Sequence, residues 1–110
     1  MNAGNIIIVG AMGSGKSAIG KLLAIKLDKK YIDTDYEIEV KNNCDISTLF
    51  EKYGEKIFRE KESEILDALT DINNHVIATG GGIILKEENI NLLKKIGLIV
   101  FLDIGLKAQI

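Results

Sequence analysis

The sequence predicts an α/β fold, a parallel sheet of about four strands flanked by helices. Three observations predict it. Short β-branched runs alternate with longer stretches of helical apolar spacing, the order expected of parallel strands joined by crossover helices. The first run, IIIV, lacks period-two alternation, as a strand buried on both faces does. The first three strand-like runs end in GAMGSGKS, DTD and TGGG. In a parallel sheet these endings share the carboxyl edge, where open α/β sheets bind their ligands.

Each element has its own signal. Residues 5–9 form the first strand. A helix follows over 16–27, with Ile19, Leu22, Leu23, Ile25 and Leu27 on a broad apolar face and Lys21 and Lys26 opposite. Residues 30–33 are a second short strand. Residues 36–41 read as helix and the NNCD at 42–45 as a turn. Helical spacing returns over 46–69, with a break near Gly54. His75 begins a third strand that runs to Thr79. Residues 87–96 are an amphipathic helix, with Gly97 where a C-terminal cap belongs. Residues 98–102 read as a fourth buried strand, and Leu106 begins another helix.

Composition narrows the class. The chain of 110 residues suits one domain with one modest core. A net charge of -2 carries no basic bias, which argues against broad nucleic-acid binding. The lone Cys44 has no internal disulfide partner, which fits a reducing compartment. No apolar stretch approaches a membrane span, and the first residues lack a secretory pattern. A soluble cytoplasmic protein without membrane partners is expected.

The motifs carry the chemistry. GAMGSGKS is G-x-x-x-x-G-K-S between a strand and a helix. Its glycines turn backbone N–H groups toward phosphate oxygens at the positive end of the helix. Lys16 is then placed to reach the β- and γ-phosphates, and the Ser17 hydroxyl to bind Mg²⁺. Asp33 and Asp35 end the second strand, where alternation along an extended chain puts both on one face. One suits magnesium held through water, the other a substrate hydroxyl, with a helix N-cap as the plainer role. Of 14 basic residues only Arg59 is arginine. Its planar fork suits a carboxylate or phosphate better than lysine does, and Glu62 lies one helical turn on. Gly80, Gly81 and Gly82 cost backbone entropy without packing, so they point to close approach of a ligand. Tyr31, Tyr36 and Tyr53 show no stacking pattern and are expected in packing.

GAMGSGKSAIGKLLA, DTDYEIE, LFEKYGEKIFREKESEIL and VIATGGGII together resemble the shikimate kinases, over residues 5–103 and in family order. The resemblance implies the nucleoside-monophosphate-kinase version of the P-loop fold. It implies transfer of the γ-phosphate of ATP to the 3-hydroxyl of shikimate, with Mg²⁺, on the route to aromatic amino acids. Gly13, Ser14, Gly15, Lys16, Ser17 and Ala18 would hold ATP, Ser17 and Asp33 the metal. Asp35 would orient or deprotonate the reacting hydroxyl, with Lys16 as the other catalytic group. Arg59 would grip the shikimate carboxylate beside Gly80, Gly81 and Gly82. Ala18 stands where the family often has threonine. The family continues past the fourth strand with a lid, a second substrate arginine and a fifth strand. Residues 1–110 therefore read as one P-loop kinase domain, incomplete at the C-terminus. Completed, it would be a monomer; as it stands, association through the open edge is expected. A related small-molecule kinase such as a gluconate kinase, or a silent nucleotide-binding remnant, are the alternative readings.

Overall fold

The computed structural model describes residues 4–10, 15–80, 82–83 and 86–102. Four parallel strands form one sheet: β1 (Ile6–Gly10), β2 (Lys30–Asp33), β3 (His75–Ala78) and β4 (Leu98–Leu102), in the order β2-β3-β1-β4. The helices are α1 (Lys16–Lys26), α2 (Thr34–Asn42), α3 (Ile46–Ala68) and α4 (Glu87–Ile96). The helix expected from Leu106 lies outside the described residues.

The central strands explain the unalternated apolar runs. Ile7, Ile8, Val76 and Ile77 are fully buried because both faces of β1 and β3 are covered. Ile7, Val9 and Ile77 meet Ile38, Leu49, Phe58, Leu66, Leu93 and Ile96 on the side of α2, α3 and α4. Ile8 and Val76 meet Ala24, Ile19 and Leu23 of α1 on the other.

Three expectations drawn from local pattern fail here. The fourth strand is not buried, as its apolar run suggests, but lies at the open edge that the family resemblance implies: Leu98 is 61% exposed and Phe101 68%. The sheet order makes β4 an edge, with β1 as its single strand neighbour among the described residues. An apolar run cannot tell a central strand from an edge strand. Nor does α1 bury its whole apolar face. Gly20 and Ala24 pack inward, whereas Leu22, Ile25 and Leu27 are exposed. The two small residues let the helix lie close to the sheet, which turns the larger ones outward. Tyr36 and Tyr53 are likewise exposed and pack no core; Tyr31 is half-buried against the α1 side.

Glycines fix two geometric points. Gly54 has φ 82° and ψ 173°, a conformation that L side chains avoid, and it breaks α3 where the sequence suggests a break. A straight helix would separate Phe50 and Phe58 by about 12 Å along its axis. The break instead brings their ring centroids to 4.6 Å. Gly97 does follow α4, but its φ of 175° is extended rather than left-handed. The glycine is needed for space: a Cβ there would lie 2.4 Å from the Asn5 carbonyl oxygen. Asn5 is itself buried, its Nδ2 donating to the carbonyls of Ile72 and Ile96 and its Oδ1 accepting from the His75 N–H. Gly97→Ala should therefore destabilise the fold by about 1–3 kcal/mol, the usual cost of overpacking. A urea-denaturation midpoint checks it; an unchanged midpoint would show that this corner yields.

Candidate active site

The three chemical stretches lie at the carboxyl ends of β1, β2 and β3, which run parallel. Residues 11–14, including Gly13 and Ser14, lie outside the described residues, as does Gly81. Gly15 precedes α1 with φ 86°, and as a glycine it has no side chain with which to cap the helix. The first-turn N–H groups of α1 point out of the N-terminal end of the helix, an arrangement that favours anions. Lys16 opens the helix, and its Nζ donates to the Gly10 carbonyl. Burial lowers the Lys16 pKa against the opposing charges of Asp35 and Asp33. Ser17 and Ala18 are exposed in the same turn.

Asp33 does two things at once. Its Oδ1 accepts from the Asp35 and Tyr36 N–H groups at 3.0 and 3.2 Å, capping α2. Its Oδ2 accepts from Ser17 Oγ at 3.1 Å. The N-cap is therefore Asp33 rather than Asp35. The chain turns into helix at Thr34, so the two carboxylates are not set on one face by an extended strand continuing through DTD. Ser17 Oγ and Asp33 Oδ2 are two hard oxygen donors. Their separation is near the ~2.9 Å between neighbouring ligands of an octahedral ion bonded at about 2.0–2.1 Å. Among the described residues no group of three or more His, Cys, Asp and Glu gathers. Magnesium fits so sparse a donor set, because it takes most of its ligands from phosphate and water.

Asp35 faces a different way. Its Oδ1 is buried without a hydrogen-bond partner, and a Cβ on Gly80 would lie 2.5 Å from it. The Gly80 N–H is held by Thr34 Oγ1 at 3.2 Å. Burial raises the Asp35 pKa, as does the charge of Asp33; Lys16 and Arg59 pull it back.

Arg59 comes from α3 and lies over the chain after β3. A Cβ on Gly82 would lie 2.2 Å from its Nη1. Nη1 donates to Glu62 Oε1 at 2.9 Å and Nη2 to Glu55 Oε2 at 3.3 Å, while Nε is buried and unpartnered. Its guanidinium also stands 5.5 Å from the Phe58 ring centroid and 5.9 Å from that of Phe50. Two of five donors are thus used, and the fork keeps donors for a ligand. Glu62, the expected helical partner, is only 1% exposed. Burial raises its pKa and the Arg59 contact lowers it, and its Oε2 is unpartnered.

These groups line a cavity of about 180 Å³, whose walls include Asp35, Glu62, Gly80, Arg59, Phe50 and Phe58. The sequence reading placed Asp35, Arg59, Gly80 and Gly82 in one site, and the structure brings those four together. It missed Phe50 and Phe58 as walls, because aromatic residues at helical spacing look like core. The signal was present: Phe58 adjoins the lone arginine, and Gly54 folds Phe50 back toward it.

The parallel sheet with its flanking helices, and the helix-start lysine near a small cavity lined by acidic and cationic groups, are those of a P-loop α/β fold of the nucleoside-monophosphate-kinase type. The family model described as shikimate kinase matches residues 12–110, and the chain belongs to that family. A shikimate kinase of Alkaliphilus oremlandii is 50% identical over 99 residues, which cover 90% of this chain and 59% of that protein. The structure of a shikimate kinase from Acinetobacter baumannii in complex with shikimate matches with a TM-score of 0.88 and 42% identity, covering 96% of this chain and 60% of that one. The chain thus spans about three-fifths of these relatives. A gluconokinase from Sinorhizobium meliloti is similar at a TM-score of 0.56 and 17% identity, a likeness of fold alone. Among the described residues no helix is long and apolar enough to cross a membrane.

Proposed function

We propose that this chain carries the phosphate loop and part of the acceptor site of a cytoplasmic shikimate kinase, which moves the γ-phosphate of ATP to the 3-hydroxyl of shikimate. The observation that carries the reading is the convergence of Asp35, Arg59, Gly80 and Gly82 on one small cavity beside Lys16. The shikimate complex of the Acinetobacter relative supports the choice of acceptor.

The roles follow from the chemistry of each group. The α1 N-terminus, with Gly13, Ser14, Gly15 and Ala18 around it, takes the phosphates. Lys16 leaves the Gly10 carbonyl for the β- and γ-phosphates. Ser17 would hold Mg²⁺ directly and Asp33 through water, and a cation held there would supply neutralising charge to the phosphates. Arg59 turns its spare donors to the shikimate carboxylate. Gly80, Gly81 and Gly82 let the acceptor close on the main chain. Asp35 accepts the hydrogen bond of the reacting hydroxyl and draws its proton as the oxygen attacks the γ-phosphorus, while the bond to the β,γ-bridging oxygen breaks and ADP leaves with its electron pair. Its raised pKa makes it a better base than an exposed aspartate, because proton affinity rises with pKa. In-line transfer is mainly a matter of positioning, which this rigid sheet edge supplies.

Lys16→Ala tests the nucleotide half. A charge-assisted contact to phosphate is worth roughly 1.5–3 kcal/mol, so ATP affinity should fall by about 10- to 150-fold. Isothermal titration with ATP and Mg²⁺ measures it. Equal affinity of variant and parent would place the nucleotide elsewhere.

A further inference from the structure

A buried side-chain amide is costly unless both of its ends are paired. Asn89 of α4 is fully buried, and both ends are paired. Its Nδ2 donates to the Ile83 carbonyl at 2.9 Å, and its Oδ1 accepts from Ser63 Oγ at 2.8 Å. The two partners belong to different parts of the acceptor site. Ile83 follows the glycine run, and its N–H donates to the Gly80 carbonyl at 3.3 Å, closing the turn that holds Gly82. Ser63 lies one helical turn after Arg59 on α3, and its Oγ also stands 3.2 Å from the Arg59 carbonyl oxygen. The glycine turn is therefore held at both ends, at Gly80 by Thr34 Oγ1 and at Ile83 by Asn89.

Packing alone does not call for this bridge. Apolar side chains at 63 and 89 could join α3 to α4 as well. The polar bridge adds direction. Two hydrogen bonds fix both the distance and the orientation of the turn relative to α3, whereas apolar contacts let surfaces slide. The site has need of that precision. The Arg59 guanidinium occupies the space that a Cβ on Gly82 would take. A shift of about 0.5 Å between turn and helix is enough to spoil a binding geometry of this kind.

We propose that Asn89 and Ser63 are positioning residues of the acceptor site: their buried bridge holds the glycine turn against the turn of α3 that carries Arg59, and so sets the geometry in which Arg59 and Gly82 meet the acceptor carboxylate. Neither residue is among the walls of the cavity. Both act through Arg59 and the glycine turn. This rests on the acceptor site proposed above.

Calorimetric titrations with shikimate, and separately with ATP and Mg²⁺, test the proposal beside a melting temperature for each variant. Ser63→Ala cuts the bridge to α3 and leaves the Asn89–Ile83 bond. Its shikimate affinity should fall about tenfold, the scale of coupling between residues in contact, with ATP affinity unchanged. Ser63→Thr keeps the hydroxyl and should bind shikimate as the parent does. In an Arg59→Lys background, Ser63→Ala should have almost no further effect, because the group it positions is gone. Asn89→Leu cuts both bonds and should lose more shikimate affinity than Ser63→Ala; the half-buried Ser63 is the safer site and its variant decides. Unchanged shikimate affinity in Ser63→Ala overturns the proposal. So does a tenfold loss that persists undiminished in the Arg59→Lys background. Equal losses for shikimate and ATP with a lower melting temperature also overturn it, because they mark a merely structural bridge. A parent that binds ATP but no shikimate refutes the acceptor site itself, and the positioning role falls with it.

Discussion

Asp35→Asn should lower kcat for shikimate phosphorylation by about 10²–10⁴, the usual contribution of a positioned general base. Asparagine keeps the shape and still accepts a hydrogen bond, but it takes no proton. ATP affinity should change far less than kcat, since Asp35 Oδ1 faces Gly80 and the acceptor cavity. A loss in kcat with little change in KM marks an interaction made in the transition state. The same variant carries a stability signature. Burial raises the Asp35 pKa in the folded protein, so the native state holds its proton more tightly than the unfolded chain. Stability from this group is therefore present below the unfolded value and is lost as pH rises through the folded one. Ligand-free Asp35→Asn should melt above the parent at pH 7, and the gap should close as pH falls below the ordinary aspartate range. A thermal melt series across pH checks the sign; a variant less stable than the parent at pH 7 would show that the carboxylate is stabilised where it sits.

Arg59→Lys should raise the KM for shikimate by about 10- to 150-fold, from the loss of a charge-assisted contact worth roughly 1.5–3 kcal/mol. Lysine keeps the charge but not the fork. Arg59 presently spends one nitrogen on Glu62 and another on Glu55, and an ammonium cannot hold both and still face a carboxylate in two-pronged fashion. It also lies against Gly82, where the guanidinium occupies the space a Cβ would take. Steady-state kinetics should show the KM for ATP almost unmoved. Equal changes in both KM values would mean that the residue supports the fold of α3 rather than the acceptor.

Much of this was legible in the sequence because each signal is local. The strand runs of β1, β2 and β3 and the helices α3 and α4 follow from short-range periodicity. Arg59 stood out as the one arginine, and Gly54 marked the break in α3. What escaped depends on residues far apart in the chain. The exposure of Leu98 and Phe101 comes from the sheet order, which no single run encodes; the family resemblance, not the run itself, made that strand an open edge. The outward turn of Leu22 and Ile25 comes from Gly20 and Ala24 lying close to the sheet. Which aspartate caps α2 was left open because an aspartate ending a strand and one beginning a helix look alike until the chain turns at Thr34. Glu62 sat in a charge run, and only the approach of α3 to Gly80 buries it.

The most direct test of the account is ADP release from Mg·ATP, measured by a coupled assay with and without shikimate. It should be run on the protein carrying this sequence and on its Asp35→Asn variant. Shikimate-dependent release in the parent, reduced by about 10²–10⁴ in the variant, is the predicted result. Release indifferent to shikimate, or a shikimate-dependent rate that Asp35→Asn leaves intact, would contradict it.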